Sequence, residues 1–269
     1  KPRYLFHDGD HGLAIDRKGR HYLVKLKSDS SFETHLGNVN HNDVIGKTEG
    51  IRIKSSHGHW LIFVKPTMAE FIRIMPRIAN IIYPKDLGAI ITLADLFPGA
   101  RVLEAGCGSG SMTIAILRAI GETGHLFSYD IRKDMINMAE ANVSAIIPGT
   151  PPVNFKIGDV YKCTEEVNLD RIILDLPEPW HTLPHASKSL VPGGIILCFL
   201  PTILQVHKLV QESRKQKTFA MINTVEILIR PWHLGDRSVR PEQKMVGHTG
   251  FLTTARKVDA LDHEQTQEL

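Results

Sequence analysis

Two patterns of hydrophobic and polar positions divide the chain. Up to about residue 65, short β-rich runs such as His21–Lys27 and Trp60–Val64 alternate with turn residues, which predicts a small all-β unit. From about residue 85, apolar runs of strand length alternate with amphipathic stretches of helix length. Strands that alternate with helices predict an α/β fold with a mostly parallel sheet.

The second pattern assigns most of the remaining elements. We expect helices at Thr67–Met75, Asp86–Leu96, Met112–Ile120 and Lys133–Ala145, and strands at Arg101–Glu104, His125–Tyr129, Asn154–Ile157, Arg171–Leu174 and Ile195–Leu200. Two closing strands, Val225–Arg230 and Gly250–Lys257, have no long helix between them, which predicts an antiparallel pair at one sheet edge. The resulting domains are an all-β domain (1–65), a linker helix and junction (66–85), an α/β domain (86–258) and a flexible polar tail (259–269).

A glycine-rich loop follows the first strand of the α/β domain, with the sequence Glu104-Ala105-Gly106-Cys107-Gly108-Ser109-Gly110-Ser111. Alternating glycines let a backbone approach a ligand closely. A dinucleotide fingerprint would need glycine in place of Ser111, and a P-loop would end in Lys-Ser/Thr, so neither motif is present. The loop resembles the E-x-G-x-G-x-G loop of class I S-adenosylmethionine-dependent methyltransferases, which wraps the methionine and ribose part of the cofactor. A glycine-rich turn in another α/β protein is the alternative.

Acidic residues end the next two predicted strands. Asp130 is placed to accept hydrogen bonds from ribose hydroxyls, and Asp159 stands where family members commonly bind the adenine amino group. Each has an alternative role, since Asp130 also precedes a helix and Asp159 also suits a simple turn. The predicted cofactor-binding set consists of Glu104, Gly106, Cys107, Gly108, Ser109, Gly110, Ser111, Asp130, Met135, Asp159, Val160 and Asp175.

The fourth strand ends in the hexapeptide Asp175-Leu176-Pro177-Glu178-Pro179-Trp180. It resembles the D-L-x-x-P-W motif of the tRNA (adenine-58-N1)-methyltransferase family, and the segments 16–24, 82–86 and 246–252 resemble that family in the same order. The resemblance covers nearly the whole chain. It implies a Rossmann-like class I methyltransferase fold behind a small β-barrel-like domain, S-adenosylmethionine as cofactor, tRNA as partner and a homotetramer. Cys107, Asp130 and Pro201-Thr202-Ile203-Leu204-Gln205 depart from the usual family residues.

The resemblance implies methyl transfer to N1 of adenine 58 in the T-loop of tRNA and leaves adenine 57 open. N1 carries a lone pair that can attack a sulfonium methyl, so positive charge develops on the ring. We assign to Asp175 a hydrogen bond from the N6 amino group and a later role as general base. We place Tyr83 near the flipped base or the cofactor, because aromatic faces receive unstacked bases. A turn cap for Asp175 and a core position for Tyr83 are the alternatives.

Charge and composition refine this picture only slightly. The 32 basic and 29 acidic residues give a net charge of +3, which permits a nucleic-acid partner without requiring one. Basic and aromatic residues alternate in the segment 230–248, which predicts RNA contacts there unless the loop is simply solvated. The predicted contacts are Arg230, Arg237, Arg240, Lys244 and His248, with Lys65, Arg73, Arg77 and Lys85 as an extension.

Cellular location and metal binding follow from what the sequence lacks. No apolar run reaches the length of a membrane span, no signal segment precedes the first strands, and three cysteines are too few for a disulfide framework. We therefore expect a cytoplasmic protein. The histidines at 57, 59, 181 and 185 lack further ligands at recognisable spacing, so we expect no metal.

Two rival functions remain open at this stage. One is a methyltransferase that acts on a protein or a small molecule, which the β-rich N-terminal unit and the basic loop disfavour. The other is a non-catalytic RNA-binding subunit with the same fold. Such a subunit is expected to have lost its glycine loop or its catalytic acid, whereas this chain keeps Gly106–Gly110 and Asp175.

Overall fold

A computed structural model describes residues 4–162 and 164–260, so residues 261–269 of the predicted tail lie outside the described part. The chain divides into two compact units. The N-terminal unit comprises Lys1–Pro76 with Ser144–Pro148, and the C-terminal unit comprises Arg77–Val143 with Gly149–Leu269. The predicted linker, 66–85, is therefore shared between the two units.

The N-terminal unit is built from antiparallel strands. Its elements are β1 (His11–Ile15), β2 (His21–Lys25), β3 (Ser31–Thr34), β4 (Gly37–Asn40), a 3-10 turn (His41–Asp43), β5 (Ile51–Lys54), β6 (Trp60–Val64) and α1 (Met68–Ile74). A four-stranded sheet has the order β2-β1-β6-β5, and β3 and β4 form a separate hairpin. Residues on β6 alternate between core and surface, so Leu61 and Phe63 are fully buried while Trp60 and Ile62 face outward.

The C-terminal unit alternates helices and strands as the sequence predicts. Its elements are α2 (Pro84–Leu93), β7 (Arg101–Ala105), α3 (Ser111–Ile120), β8 (His125–Asp130), α4 (Lys133–Ile146), β9 (Val153–Ile157), β10 (Leu169–Leu174), a 3-10 turn (Pro179–Thr182), α5 (Leu183–Ser189), β11 (Leu190–Leu200), α6 (Ile203–Gln216), β12 (Phe219–Glu226), β13 (Trp232–Gly235), β14 (Ser238–Pro241) and β15 (Phe251–Lys257). The last residues of α4 belong to the N-terminal unit.

The seven-stranded sheet of this unit has the order β12-β15-β11-β10-β7-β8-β9. The five strands from β11 to β9 are parallel, and β15 runs antiparallel to both β11 and β12. The predicted α/β fold and the antiparallel pair at one edge are therefore confirmed. Chain order runs outward from β7 in one direction and from β10 in the other, so the two strands flank the switch point where open α/β sheets bind ligands.

Several elements differ from the sequence expectations. The helix expected at Asp86–Leu96 spans Pro84–Leu93, because Pro84 occupies the first helical turn and Asp95 adopts a positive φ of 49°. The strand expected at Val225–Arg230 ends at Glu226, and α6 was not predicted. Part of the expected loop, 230–248, forms the hairpin of β13 and β14. Among the helices of the described residues, none has the length and apolar character needed to cross a membrane.

Candidate active site

The glycine loop turns sharply between β7 and α3. Gly106, Gly108 and Gly110 all have positive φ, between 51° and 88°, a region that glycine enters without steric cost. The amides of Gly106 and Cys107 donate to the carbonyl of Tyr129, at 2.9 and 3.1 Å, which ties the loop to β8. A Cβ built on Gly110 would lie 3.0 Å from the Cα of Ala139 on α4, so a side chain there would push the helix away.

Glu104 lies beneath this loop and is completely buried. Its carboxylate accepts hydrogen bonds from the hydroxyls of Thr113 and Ser128, with the shortest distance to each 2.8 Å. Burial raises the pKa of Glu104 to about 7, against the opposing effect of these hydroxyls. These bonds join Glu104 to the first turn of α3 and to β8, and its contact with a cofactor stays a prediction.

The predicted cofactor residues with apolar or small side chains line the inner side of the loop. Cys107, Ser109 and Ser111 are buried, and Cys107 packs with Ile136 and Ala139. Burial raises the pKa of the Cys107 thiol, so the thiol stays protonated and the residue fills space. Two further members of the predicted set, Met135 and Val160, are also buried.

The Asp130 carboxylate bonds directly to the backbone of the glycine loop. One carboxylate oxygen accepts from the amide of Gly108 at 3.2 Å, and the other accepts from the amide of Arg132 at 3.0 Å. Asp159 instead caps its own turn, where it accepts from the amide of Tyr161 at 3.0 Å and lies 3.6 Å from the Lys162 ammonium. The Asp130 carboxylate does not cap α4, which begins at Lys133, and its oxygens keep lone pairs for further donors.

Asp175 follows β10 directly at the switch point. Its amide donates to the carbonyl of Ala105 at 2.9 Å, which extends the pairing of β10 with β7 by one residue. A Cβ on Gly106 would collide with the carbonyl oxygen of Asp175, so the glycine loop and this strand end are in direct backbone contact. No hydrogen bond or ion pair to the Asp175 carboxylate is found within residues 4–162 and 164–260. Burial, and then the negative charge of Asp130, raise its pKa to about 7.

The segment after Asp175 is anchored by Gln205 and by two residues that the sequence analysis did not single out, Tyr161 and Lys208. The Gln205 side chain donates to the carbonyl of Pro177 at 2.9 Å, and the amide of Glu178 donates to the Tyr161 hydroxyl at 3.0 Å. Trp180 is buried, and the Lys208 ammonium lies 4.1 Å from the centre of its ring. A helix-capping residue marks the position of Gln205 in the sequence. The Thr202 side chain accepts a hydrogen bond from the amide of Gln205 at the start of α6.

A buried polar network joins two of the segments that resemble the family, 82–86 and 246–252. The Lys85 ammonium forms an ion pair with the Asp86 carboxylate at 2.7 Å. It also donates hydrogen bonds to the carbonyl of Ile227 and to the hydroxyl of Thr249, each at 2.6 Å. The Thr249 hydroxyl donates to the other oxygen of Asp86, at 2.8 Å, and Asp86 is completely buried. The prediction of Lys85 as an RNA contact is therefore wrong, because its charge is engaged inside the protein.

Tyr83 precedes α2, and 44% of its surface is exposed. Its carbonyl accepts from the amides of Asp86 and Leu87, which fixes its backbone at the start of the helix. Within residues 4–162 and 164–260, no hydrogen bond joins Tyr83 to Asp175. The alternative of a core tyrosine does not hold, since the ring is open to solvent.

The predicted RNA-binding residues fall into two groups. Four of them have exposed side chains around the hairpin of β13 and β14: Arg230, Arg237, Arg240 and Lys244. His248 is engaged at both ring nitrogens, with Nδ1 2.6 Å from the Glu226 carboxylate and Nε2 2.7 Å from the Pro201 carbonyl. Because both partners can only accept, both nitrogens carry protons, and the Glu226 contact raises the pKa of His248.

Within the described part of the chain, no group of three or more histidine, cysteine, aspartate or glutamate side chains is arranged to hold a metal ion. The acids at the sheet edge are instead grouped around the loop backbone. Glu104, Asp130 and Asp175 lie at or next to the carboxyl ends of β7, β8 and β10, and the charge of Asp130 raises the pKa of both Asp175 and Glu104.

Comparison with known proteins decides the family. A family model described as the tRNA methyltransferase complex GCD14 subunit matches residues 59–239, and a TrmI-like N-terminal model matches residues 5–53. The chain belongs to this tRNA methyltransferase family. It is 37% identical to the tRNA (adenine(57)-N(1)/adenine(58)-N(1))-methyltransferase TrmI of Methanocaldococcus jannaschii, over 95% of this chain and 98% of that protein. It is 38% identical to the Thermus thermophilus tRNA (adenine(58)-N(1))-methyltransferase TrmI, over 91% of this chain and 96% of that protein.

Solved structures agree with this family and its fold. The structure of TrmI, a tRNA (m1A58) methyltransferase from Aquifex aeolicus, superposes with a TM-score of 0.81 at 30% identity, and covers 95% of this chain and 99% of that one. A Thermotoga maritima structure described as a SAM-dependent O-methyltransferase gives a TM-score of 0.91 at 30% identity, with 98% of each chain covered. The predicted family resemblance and the class I methyltransferase fold are both confirmed.

Proposed function

We propose that this protein transfers a methyl group from S-adenosylmethionine to N1 of adenine 58 in the T-loop of tRNA. The observation that carries the proposal is the Asp175 carboxylate, which stands unpaired among the described residues beside Gly106 at the switch point of the sheet. The names of the relatives with 37% and 38% identity support the choice of adenine N1 over other acceptors.

The residues around the glycine loop fit S-adenosylmethionine. A Cβ at Gly108 would meet no protein atom within 4 Å, so the loop backbone faces open space that can admit a ligand. Asp130 would accept hydrogen bonds from the ribose hydroxyls, and Asp159 with Val160 and Met135 would contact the adenine. When bound, the cofactor supplies an electrophilic methyl group on a positively charged sulfur.

Asp175 is the residue to which we assign the chemistry. Adenine N1 attacks through an in-plane lone pair, and the ring gains positive charge as the new bond forms. An ionised carboxylate that accepts a hydrogen bond from N6 stabilises this charge and orients the ring. The same carboxylate can take the N6 proton after transfer, and its pKa of about 7 is well matched to that role. A cationic donor bound nearby favours the ionised form.

Tyr83 and the hairpin of β13 and β14 complete the proposal. We assign to the exposed ring of Tyr83 a stacking contact with the turned-out base, which must leave its stack to present N1. The cations of Arg230, Arg237, Arg240 and Lys244 would bind tRNA phosphates, while His248 holds the base of the hairpin through Glu226 and Pro201. The family resemblance further supports a homotetramer as the assembly.

The test is mass spectrometry of nucleosides from unmodified tRNA after incubation with the protein and S-adenosylmethionine. We expect 1-methyladenosine from the wild type, and a loss of about 10²–10³-fold in rate for both Asp175→Ala and Asp175→Asn. Glu122→Ala is the matched control, because it removes an exposed carboxylate from the same unit and should leave the rate unchanged.

Three outcomes would contradict the proposal. Methyl incorporation into protein extract without incorporation into tRNA would assign another substrate class. A wild type without any product would indicate a non-catalytic subunit. Full activity of Asp175→Asn would remove Asp175 from the mechanism. Sequencing of the product tRNA would show whether adenine 57 is methylated together with adenine 58.

A further inference from the structure

The N-terminal unit contains a cavity of about 1060 Å³ that the methyl-transfer chemistry does not use. One wall is the turn between β1 and β2, which contributes Asp16, Arg17, Lys18 and Arg20. The outer face of β5 and β6 contributes Arg52, Trp60 and Ile62, and the turns near His35 and His59 complete the lining. The cavity therefore lies entirely within one unit.

The charges that line this cavity are strongly unbalanced. Among its described lining residues, Asp16 is the single acid, and Arg20 neutralises it through an ion pair of 2.6 Å. Burial opposes ionisation of Asp16, but hydrogen bonds from the backbone and side chain of Arg20 and from the amide of Lys18 lower its pKa to about 2. Arg17, Lys18 and Arg52 are exposed, and no ion pair to their side chains occurs within the described residues.

An exposed tryptophan stands on the same face as these cations. Strand pairing sets Lys54 opposite Trp60 and Arg52 opposite Ile62, and directly opposed residues of an antiparallel pair point to the same side of the sheet. The Trp60 ring is 57% exposed, and the Lys54 ammonium lies 5.9 Å from its centre. The cavity thus combines unpaired cations with a flat aromatic surface.

We infer that this cavity binds a single-stranded segment of the RNA substrate. Arg17, Lys18 and Arg52 would contact phosphates, and one base would stack on Trp60, which is the usual combination in single-strand binding proteins. An acidic peptide would match the charges but would leave the tryptophan without a role. The inference rests on the proposed tRNA substrate, and it adds a second RNA contact to the hairpin of β13 and β14.

The first experiment measures the dissociation constant of fluorescently labelled tRNA by anisotropy, with the full chain and without methyl donor. We expect Lys18→Gln/Arg52→Gln to raise the constant about tenfold or more, and to lower the slope of its logarithm against log salt by about 1.4, as two lost phosphate contacts require. The control, Lys27→Gln/Lys47→Gln, removes two exposed charges of the same unit outside the cavity and should change the constant less than about twofold.

The second experiment separates stacking from charge. Trp60→Ala should weaken tRNA binding about fivefold or more with an unchanged salt slope, and Trp60→Phe should restore most of the affinity. Ultraviolet crosslinking of the unaltered protein to tRNA, followed by peptide mass spectrometry, should identify the peptide that contains Trp60. Competition by polyglutamate together with full binding by Trp60→Ala would overturn the inference in favour of an acidic peptide.

These results can be distinguished from a failure of the proposed function. Because binding is measured without methyl donor, absence of 1-methyladenosine from the wild type would refute the methylation proposal and leave the binding data standing. Conversely, wild-type affinity and salt slope in the cavity variants, with normal methylation, would refute the second RNA contact alone.

Discussion

Replacing Lys85 with methionine tests how much the buried network contributes to stability. Methionine keeps the aliphatic length of lysine but removes the charge and the three contacts to Asp86, Ile227 and Thr249. Asp86 has no exposed surface and would keep only the Thr249 hydroxyl as a side-chain donor. Loss of one partner of a buried ion pair costs about 3–5 kcal/mol, and the 11% exposure of Lys85 places the expected loss near the lower end, at about 3 kcal/mol.

The assay is thermal and urea unfolding followed by tryptophan fluorescence. Trp180 is buried in the C-terminal unit. Replacing the other two tryptophans, with Trp60→Phe and Trp232→Phe, makes the fluorescence signal specific for that unit. A loss of about 3 kcal/mol corresponds to a fall in Tm of about 6–12 °C for a unit of this size. The urea midpoint should fall without a change in slope.

An exposed ion pair provides the control. Lys215→Met breaks the contact of Lys215 with Glu212 on the surface of α6 and should cost less than about 0.5 kcal/mol. The double variant Lys85→Met/Asp86→Leu should be more stable than Lys85→Met alone, since no unpaired charge remains buried. A loss below about 1 kcal/mol in Lys85→Met would refute this account of the network.

Three further predictions concern the sheet edge. Because the pKa of Asp175 is about 7 in the protein without donor, kcat/KM for S-adenosylmethionine should rise as the pH passes about 7, and a constant value from pH 6 to 8 would contradict its role. In the folded protein the pKa of Glu104 is about 7, raised from 4.5. The stability linked to its proton is therefore fully present below about pH 4.5 and is lost as the pH rises through 7. Glu104→Gln should flatten this part of a Tm-against-pH curve. Gly106→Ala should abolish methyl-donor binding in calorimetry through its clash with Asp175, whereas Gly99→Ala, with a similar positive φ and only a 3.6 Å neighbour, should bind normally.

Local patterns predicted the strand ends of the site well. The glycine loop and Asp175 each follow an apolar run of strand length, so their place at one edge follows from the parallel order of the strands. The roles of these residues stay predictions. The sequence did not show that Glu104 would be buried with hydrogen-bond partners. Those partners, Thr113 and Ser128, lie on other elements, whereas the Asp175 carboxylate has no such partner among the described residues.

Long-range contacts account for most of what the sequence left out. The network around Lys85 includes Thr249, which is 164 residues away, so no local pattern indicates that contact. Helix α6 buries Val206 and Leu209, but its apolar residues Ile203 and Leu204 are exposed, so its apolar positions do not mark one buried face. The apolar run after Glu226 suggested a strand, but Leu228 and Ile229 are exposed, and the pairing with β15 ends at Glu226.

The position of β15 has a consequence for biosynthesis. It is the last strand of the described chain, yet it lies between β11 and β12, inside the sheet. Until Phe251–Lys257 has been translated, both neighbours keep unpaired backbone groups along one side. Exposed strand edges of this kind pair with other chains, so the nascent protein is prone to aggregate until β15 inserts between β11 and β12. Fragments that stop before residue 251 should therefore aggregate even though they contain the glycine loop and Asp175.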